Sequence, residues 1–114
     1  MAVVLHTEYE VGQGDLLLSV VIGEGQLGSS LVRLGERELA IGDVSRLKVG
    51  KGSTIAGKQL YIKTVVTDVN DQTDRTSVRY ELQGGEVQKV IDLEASVDEE
   101  GGSVIYRARF DLKA

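Results

Sequence analysis

Carboxylate and amide side chains are concentrated in one short segment of the 114-residue sequence, residues 68–74. Its candidate metal ligands are Asp68, Asn70, Asp71 and Asp74. Oxygen ligands of this kind are the ones that calcium prefers. An EF-hand loop is excluded, because Thr73 stands where that loop needs glycine and Arg79 where it needs glutamate. The segment therefore predicts either a calcium site or a plain turn, in which Asp and Asn side chains bond to nearby backbone. A second acidic run, Asp98-Glu99-Glu100, is a weaker candidate for the same chemistry.

Residues suited to catalysis are few. The chain has no cysteine and one histidine, His6, which excludes thiolate nucleophiles, cysteine-based metal sites and a histidine-rich metal site within one chain. His6 falls in an expected N-terminal strand, where a solvent-facing or hydrogen-bonded histidine is typical. The eighteen acidic residues offer many pairs for two-carboxylate hydrolysis, but no spacing marks one pair out. We therefore expect no catalytic residues and no enzyme activity, with a hydrolase built on an acidic pair as an alternative.

Two glycine-rich segments resemble phosphate-binding motifs but lack the context that those motifs need. Gly23-Glu-Gly25-Gln-Leu-Gly28 matches G-x-G-x-x-G, yet the helix that should follow has no room before the next expected turn at Gly35. Residues 52–59 come one residue from a P-loop, with Gln59 in place of the magnesium-binding Ser or Thr. A strand is expected after Gln59, so there is no helix N-terminus to hold phosphate. We expect no cofactor-binding residues and, calcium apart, no cofactor.

The charge balance argues against nucleic acid as a partner. Thirteen Lys and Arg residues stand against eighteen Asp and Glu residues, a net charge of −5, whereas nucleic-acid binding depends on concentrated positive charge. The longest apolar stretch, residues 16–22, is far shorter than the roughly 20 residues that span a bilayer, and the start lacks the basic region of a signal peptide. We expect no membrane partner and, for the sequence as given, a cytoplasmic location. A domain excised from a longer secreted chain would look the same.

Alternation of apolar and polar residues with a period of two recurs along the chain and indicates β-strands. In the C-terminal segment the intervening residues are charged at four of five positions. The apolar set is Val104, Tyr106, Ala108, Phe110 and Leu112, and the intervening set is Ile105, Arg107, Arg109, Asp111 and Lys113. One face of this strand is therefore predicted to be buried and the other to be solvated.

A hairpin is predicted at residues 31–41, around a Gly35-Glu36 turn of type II′. This turn places Leu34 opposite Arg37, Arg33 opposite Glu38, and Val32 opposite Leu39. The register predicts one apolar face and an opposite-charge pair on the other face. The residues expected on the apolar face are Val32, Leu34, Leu39 and Ile41.

The full pattern predicts a single all-β domain over residues 1–114. Further strands are expected at about residues 2–10, 15–23, 44–49, 59–69, 75–82 and 89–97. Eight or nine short strands favour an antiparallel two-sheet sandwich, which resembles immunoglobulin-like domains in a loose sense; a small β-barrel is the alternative.

The function that this pattern favours is a non-catalytic protein-interaction or assembly module of unknown partner. Open sheets have edges that pair with other chains unless proline, charge or bulges protect them, and this chain has no proline. A protein partner or self-association through a sheet edge is therefore expected. The candidate edges are the first strand, which carries Tyr9, and the 44–49 segment. The alternative is a small-ligand or calcium-binding β module that uses residues 68–74.

Overall fold

Nine β-strands and one single-turn helix make up residues 2–114, the part of the chain that the computed structural model describes. The strands are β1 (Ala2–Glu10), β2 (Asp15–Ile22), β3 (Leu27–Leu34), β4 (Arg37–Gly42), β5 (Val44–Lys51), β6 (Gln59–Thr67), β7 (Arg75–Gln83), β8 (Lys89–Ser96) and β9 (Ser103–Lys113). The helix α1 spans Gly52–Ile55. The expected strands are all present, although β3 begins at Leu27 rather than near residue 31.

The strands form two sheets, so the two-sheet sandwich is confirmed and the closed barrel is not observed. The order is β1-β9-β6-β3-β4 in the five-stranded sheet and β5-β2-β7-β8 in the four-stranded sheet. The expectation that all pairs are antiparallel is wrong at one place: β1 runs parallel to β9 over nine residue pairs. Both strands therefore start at the same end of the sandwich.

The core lies between the sheets and is built from the inward-facing residues of the alternating strands. In β9 the predicted apolar set is buried along its whole length. Phe110 from the five-stranded sheet packs edge-on against Tyr80 from the four-stranded sheet, with ring centroids 6.1 Å apart. Both side chains are fully buried, so this aromatic contact joins the two sheets at their centre.

The β3–β4 hairpin confirms part of the predicted register. Gly35 has a φ of 59°, as the first residue of a type II′ turn requires, and Arg33 lies opposite Glu38. A β-bulge then shifts the pairing so that Val32 lies opposite Ala40 and not Leu39. The inserted residue reverses the side on which later side chains point. The prediction that Ile41 shares the apolar face is therefore wrong: Ile41 points outward and is 69% exposed.

The two glycine-rich segments do not form a strand followed by a phosphate-binding helix. Gly25, with a φ of 68°, lies in the turn after β2, and Gly28 lies inside β3. In the P-loop-like segment, α1 occupies residues 52–55 and strand β6 follows at Gln59, as expected. Within residues 2–114, no helix is long and apolar enough to cross a membrane.

Candidate functional site

Three loops that are distant in sequence meet at one end of the sandwich. They are residues 23–26, 68–74 and 97–102, which we name the acidic end. The backbone N–H of Asp68 donates to the carbonyl of Gly102 at 2.9 Å, and that of Val97 donates to the carbonyl of Asp74 at 2.9 Å. The two acidic runs recognised in the sequence are therefore neighbours in space.

Gln26 fastens the first of these loops to the second. Its side chain is buried, and its Oε1 accepts hydrogen bonds from the backbone N–H groups of Val69 and Asn70 at 2.8 and 2.9 Å. Its Nε2 donates to the carbonyls of Thr73 and Arg75. Since these contacts use both ends of the amide, Gln26 holds the 68–74 loop in one conformation.

Asp68 is the most buried of the four predicted metal ligands. The residue is 5% exposed, and its Oδ2 accepts a long hydrogen bond of 3.4 Å from the backbone N–H of Gly101. Its Oδ1 is buried and has no hydrogen-bond partner among the described residues. Asp68 lines a recess of about 170 Å³ together with Asn70, Asp71 and Glu100. An orphaned buried carboxylate oxygen calls for an explanation, such as a bound water or ion.

The other predicted ligands divide into two groups. Asn70 and Asp71 line the same recess as Asp68, but the Asn70 side chain accepts a bond from the Gln72 N–H and donates to the Glu24 carbonyl, which are turn-forming contacts. Asp74 is not among the residues that line the recess. Within residues 2–114, no group of three or more His, Cys, Asp and Glu side chains has a metal-binding arrangement.

The outer surface of the five-stranded sheet carries a different chemistry. One row of paired residues crosses all five strands: Val4, Arg107, Lys63, Leu31 and Ile41. The rows on either side are Ala2, Ile105, Val65 and Ser29 towards the acidic end, and His6, Arg109, Tyr61, Arg33 and Glu38 away from it. We name these three rows the cationic face, because four of their residues are Lys or Arg and one is Glu.

Tyr61 lies at the centre of the cations on this face. The Arg107 Nη1 donates to the Tyr61 hydroxyl at 2.7 Å, and the Arg33 guanidinium stacks on the Tyr61 ring at 4.8 Å from its centroid. Within the described residues, Arg33, Lys63 and Arg107 have no carboxylate within 4.0 Å. Two of these positive charges, Arg33 and Arg107, are thus held in place by stacking and hydrogen bonding without being neutralised.

Apolar side chains are interleaved with these cations. Val4 is 72% exposed and Ile41 is 69% exposed, at the two ends of the row that crosses the sheet. Between them, Leu31, Ile41 and Val65 line a recess of about 220 Å³ that Lys63 borders. Of the residue types on this surface, Tyr and Arg are the ones that are enriched at protein-binding surfaces.

His6 lies on the cationic face and makes polar contacts with the neighbouring strand β9, as expected for a strand histidine. Its Nε2 donates to Asp111 Oδ2 at 2.7 Å, and Arg109 Nη2 lies 3.0 Å from its Nδ1. The hydrogen bond from His6 lowers the pKa of the Asp111 carboxyl below its ordinary value. His6 and Asp111 are 105 residues apart in sequence and meet through the parallel β1–β9 pair.

The outer surface of the four-stranded sheet, which we name the paired face, carries two ion pairs that join neighbouring strands. Arg79 forms two hydrogen bonds with Asp92, at 2.7 and 3.2 Å, and Arg75 binds Glu94 at 2.9 Å. Both pairs join β7 to β8. The hydrogen bond from Arg79 lowers the pKa of the Asp92 carboxyl, so this pair stays ionised at neutral pH.

Two of the four edge strands pair with their neighbours without interruption, and the pairing of the other two contains register shifts. The predicted edge strands, β1 and β5, both lie at sheet edges, and β4 and β8 are the other two. The pairing of β5 contains two register shifts, and that of β4 contains one, whereas β1 and β8 pair without interruption. Bulges deter strand addition, so β1 and β8 are the edges better suited to it. Whether a partner uses either edge stays a prediction.

The structure contributes little to the hydrolase alternative, which stays a prediction. Its general acid would need a carboxyl group with a raised pKa. Among residues 2–114, the two carboxyl groups with resolved shifts, Asp92 and Asp111, both have lowered pKa values because each accepts a hydrogen bond from a basic side chain. Such groups are held as carboxylates, which suits ion pairing better than proton donation.

Sequence reasoning missed Gln26 and the arrangement around Tyr61. A single glutamine has no local signal, because its partners lie more than forty residues away. The sequence indicated the cationic face only in part. Ile105 interrupts the charged set of β9, and alternate positions of β6 hold Tyr61, Lys63 and Val65. Their significance depends on which strands are neighbours.

Comparison of the chain with protein-family models, with curated proteins and with solved structures gives no match.

Proposed function

We propose that this protein is a non-catalytic interaction module that binds a protein partner through the cationic face and the adjoining edge strand β1. The observation that carries the proposal is the row from Val4 to Ile41, in which two adjacent cations without a carboxylate partner lie between aliphatic side chains that are exposed at both ends of the row. Contact with a complementary partner would stabilise both the exposed aliphatic side chains and the unpaired cations.

The edge strand β1 extends the same surface. Its first six residues, Ala2 to Thr7, contain no carboxylate, lysine or proline, and the strand pairs with β9 without a bulge. Near the C-terminal end of β1, the Lys89 ammonium donates to the carbonyl of Glu8 at 2.9 Å, so this carbonyl already has a partner. A partner strand added along the first six residues would lie beside Val4 and therefore beside the cationic face.

Photo-crosslinking from matched positions on the two faces tests this proposal. A photoreactive amino acid replaces Ile41 on the cationic face or Val90 on the paired face, in cells that produce the protein. We expect covalent adducts of defined mass from position 41 and none from position 90. Equal adducts from both positions, or none from position 41, would contradict the proposal.

Calcium binding at the acidic end is the second candidate function. The buried, unpartnered Oδ1 of Asp68 favours it, with Asp71 and Glu100 lining the same recess from two loops. Because no three carboxylates converge, the remaining ligands would be carbonyl oxygens and water, which calcium accepts.

Thermal unfolding with calcium and with a chelator tests this second candidate. A ligand at about 100 times its Kd stabilises the folded state by roughly 2.7 kcal/mol, so the Tm should rise with calcium. The rise should disappear in Asp68→Asn and persist in Asp43→Asn, a control outside the acidic end. An unchanged Tm of the unmodified protein in millimolar calcium rules this function out.

A further inference from the structure

The charges of this chain are segregated between two surfaces. The acidic end carries seven carboxylates and no Lys or Arg: Glu24, Asp68, Asp71, Asp74, Asp98, Glu99 and Glu100. All of them except Asp68 are exposed. The rest of the chain carries eleven acidic and thirteen basic residues, so its net charge is positive although the whole chain is acidic. Several Lys and Arg residues form no ion pair within 4.0 Å among the described residues, and three of them, Arg33, Lys63 and Arg107, lie together on the cationic face.

The two surfaces also match in their apolar groups. Val69 lies in the acidic end between Asp68 and Asn70 and is 52% exposed. The cationic face offers the recess lined by Leu31, Ile41 and Val65, with Lys63 at its border. An exposed aliphatic side chain within a carboxylate-rich end thus complements an apolar recess that a cation borders.

We propose that the partner of the cationic face is the acidic end of a second copy of this chain, so that the molecules assemble head to tail. Val69 of one copy occupies the recess of the next, and Asp71 and the 98–100 carboxylates lie against Lys63 and Arg107. This inference rests on the proposed function and names its partner. The contact is heterologous, because it joins two different surfaces, and such contacts propagate into open chains unless they close into a ring.

A symmetric dimer through the cationic face is disfavoured by the same charges. Arg107, Lys63 and Arg33 lie on β9, β6 and β3, the three inner strands of the five-stranded sheet. Residues near a two-fold axis meet their own copies, so face-to-face pairing would bring these unpaired cations together. Like charges brought together in an interface cost several kcal/mol.

The dimensions of the molecule indicate a weak, salt-sensitive contact. The sandwich measures 44 × 25 × 20 Å, so an end presents about 500 Å² and the contact buries about 1,000 Å² in total, the lower limit for specific interfaces. Much of the attraction is between exposed charges, which salt screens. We expect self-association that grows with protein concentration and that is lost in about 1 M salt, where the screening length falls to roughly 3 Å.

Two charge-reversed variants separate the contributions of the two surfaces. The face variant is Lys63→Glu with Arg107→Glu, and the end variant is Asp71→Lys with Glu99→Lys. Matched controls place the same charge changes at the opposite end of the sandwich, as Lys51→Glu with Lys58→Glu and as Glu36→Lys with Glu86→Lys. Sedimentation velocity at low salt should show chains for the unmodified protein and both controls, and monomers for each variant alone.

Mixing the two variants gives the sharpest readout. The face variant keeps a functional acidic end and the end variant keeps a functional face, so the mixture should form a one-to-one pair that cannot grow. Native mass spectrometry with one variant isotopically labelled identifies that pair. A mixture that stays monomeric, or an unmodified protein that is monomeric at low salt and high concentration, overturns the head-to-tail inference.

Failure of this inference is distinguishable from failure of the proposed function. If the protein is monomeric but position 41 still forms crosslinks to another protein, the head-to-tail inference is wrong and the interaction function stands. If position 41 forms no crosslinks at all, both are wrong.

Discussion

The outer faces of the two sheets have similar numbers of cations but use them differently. On the paired face, Arg75 and Arg79 each bind a carboxylate on the neighbouring strand. On the cationic face, Arg33 and Arg107 are held against Tyr61, and Lys63 has no carboxylate within 4.0 Å among the described residues. The difference teaches that the arrangement of charges, rather than their number, decides whether the cations of a face are paired with carboxylates or left unpaired.

A substitution in the core between the two sheets should have the largest effect on the free energy of unfolding. Phe110→Ala removes the side chain that packs edge-on against Tyr80, and we expect a loss of about 3–5 kcal/mol in the free energy of unfolding. Urea unfolding at neutral pH measures it. Phe110→Leu, which keeps most of the volume, should lose clearly less; equal losses would mean that the aromatic ring itself, and not the volume that it fills, accounts for the lost stability.

Matched substitutions on the two faces test the comparison directly. Ile41→Glu on the cationic face should weaken association at least tenfold, about 1.4 kcal/mol, whereas Val90→Glu on the paired face should leave it unchanged. Both side chains are exposed, so each variant should keep its unfolding free energy within about 0.5 kcal/mol of the unmodified protein. Sedimentation velocity and urea unfolding provide the two readouts. An equal loss of association in both variants would remove the distinction between the faces.

Each sheet also contributes one fully buried tyrosine, Tyr106 or Tyr80, and the two should respond differently to loss of the hydroxyl. The Tyr106 hydroxyl lies 2.6 Å from Thr76 Oγ1, so Tyr106→Phe should cost about 1 kcal/mol. The Tyr80 hydroxyl is buried and has no hydrogen-bond partner among the described residues, so Tyr80→Phe should be neutral or stabilising. Urea unfolding at neutral pH measures the stability of both variants. A Tyr80→Phe variant that loses more stability than Tyr106→Phe would contradict the conclusion that only the Tyr106 hydroxyl is hydrogen-bonded.

Tyr80 also predicts a pH dependence in the alkaline range. Burial raises the pKa of Tyr80 from 10.0 to about 12. Its folded pKa exceeds its unfolded value, so the stabilising contribution is complete below pH 10 and is lost as the pH rises from about 10 to 12. Tyr80→Phe should therefore lose less stability over this interval than the unmodified protein. Parallel slopes in the two proteins would show that Tyr80 does not ionise on unfolding there.

The ion pairs of the paired face should show the smallest effect, because they are exposed. The Arg79 hydrogen bond lowers the pKa of Asp92 from its ordinary value of 3.8. The stabilising contribution is therefore present above that value and is lost as the pH falls through the lowered pKa. Arg79→Met should lower the Tm slightly at pH 7, and the difference should vanish in strong acid. A difference that persists in acid would assign the effect to lost packing of the arginine stem.

The β3–β4 hairpin shows how far local sequence reasoning reaches. The turn at Gly35 and the Arg33–Glu38 pair were predictable, because both depend on residues within a few positions of the turn. The bulge between Val32 and Arg33 was not, since the turn residues do not specify it, and it moved Ile41 from the expected core to the exposed face. A residue of the proposed interaction surface was thus misplaced by one inserted position.

Sequence alone determined the all-β class, the approximate strand bounds and the buried side of most strands, because alternation and turn chemistry act between near neighbours. The tertiary structure alone decided which strands are adjacent. That decision brought Tyr61 beside Arg33 and Arg107, and the loop at 68–74 beside the one at 97–102. These partners are tens of residues apart, and their pairing depends on how two sheets bury a common core, which no local pattern encodes.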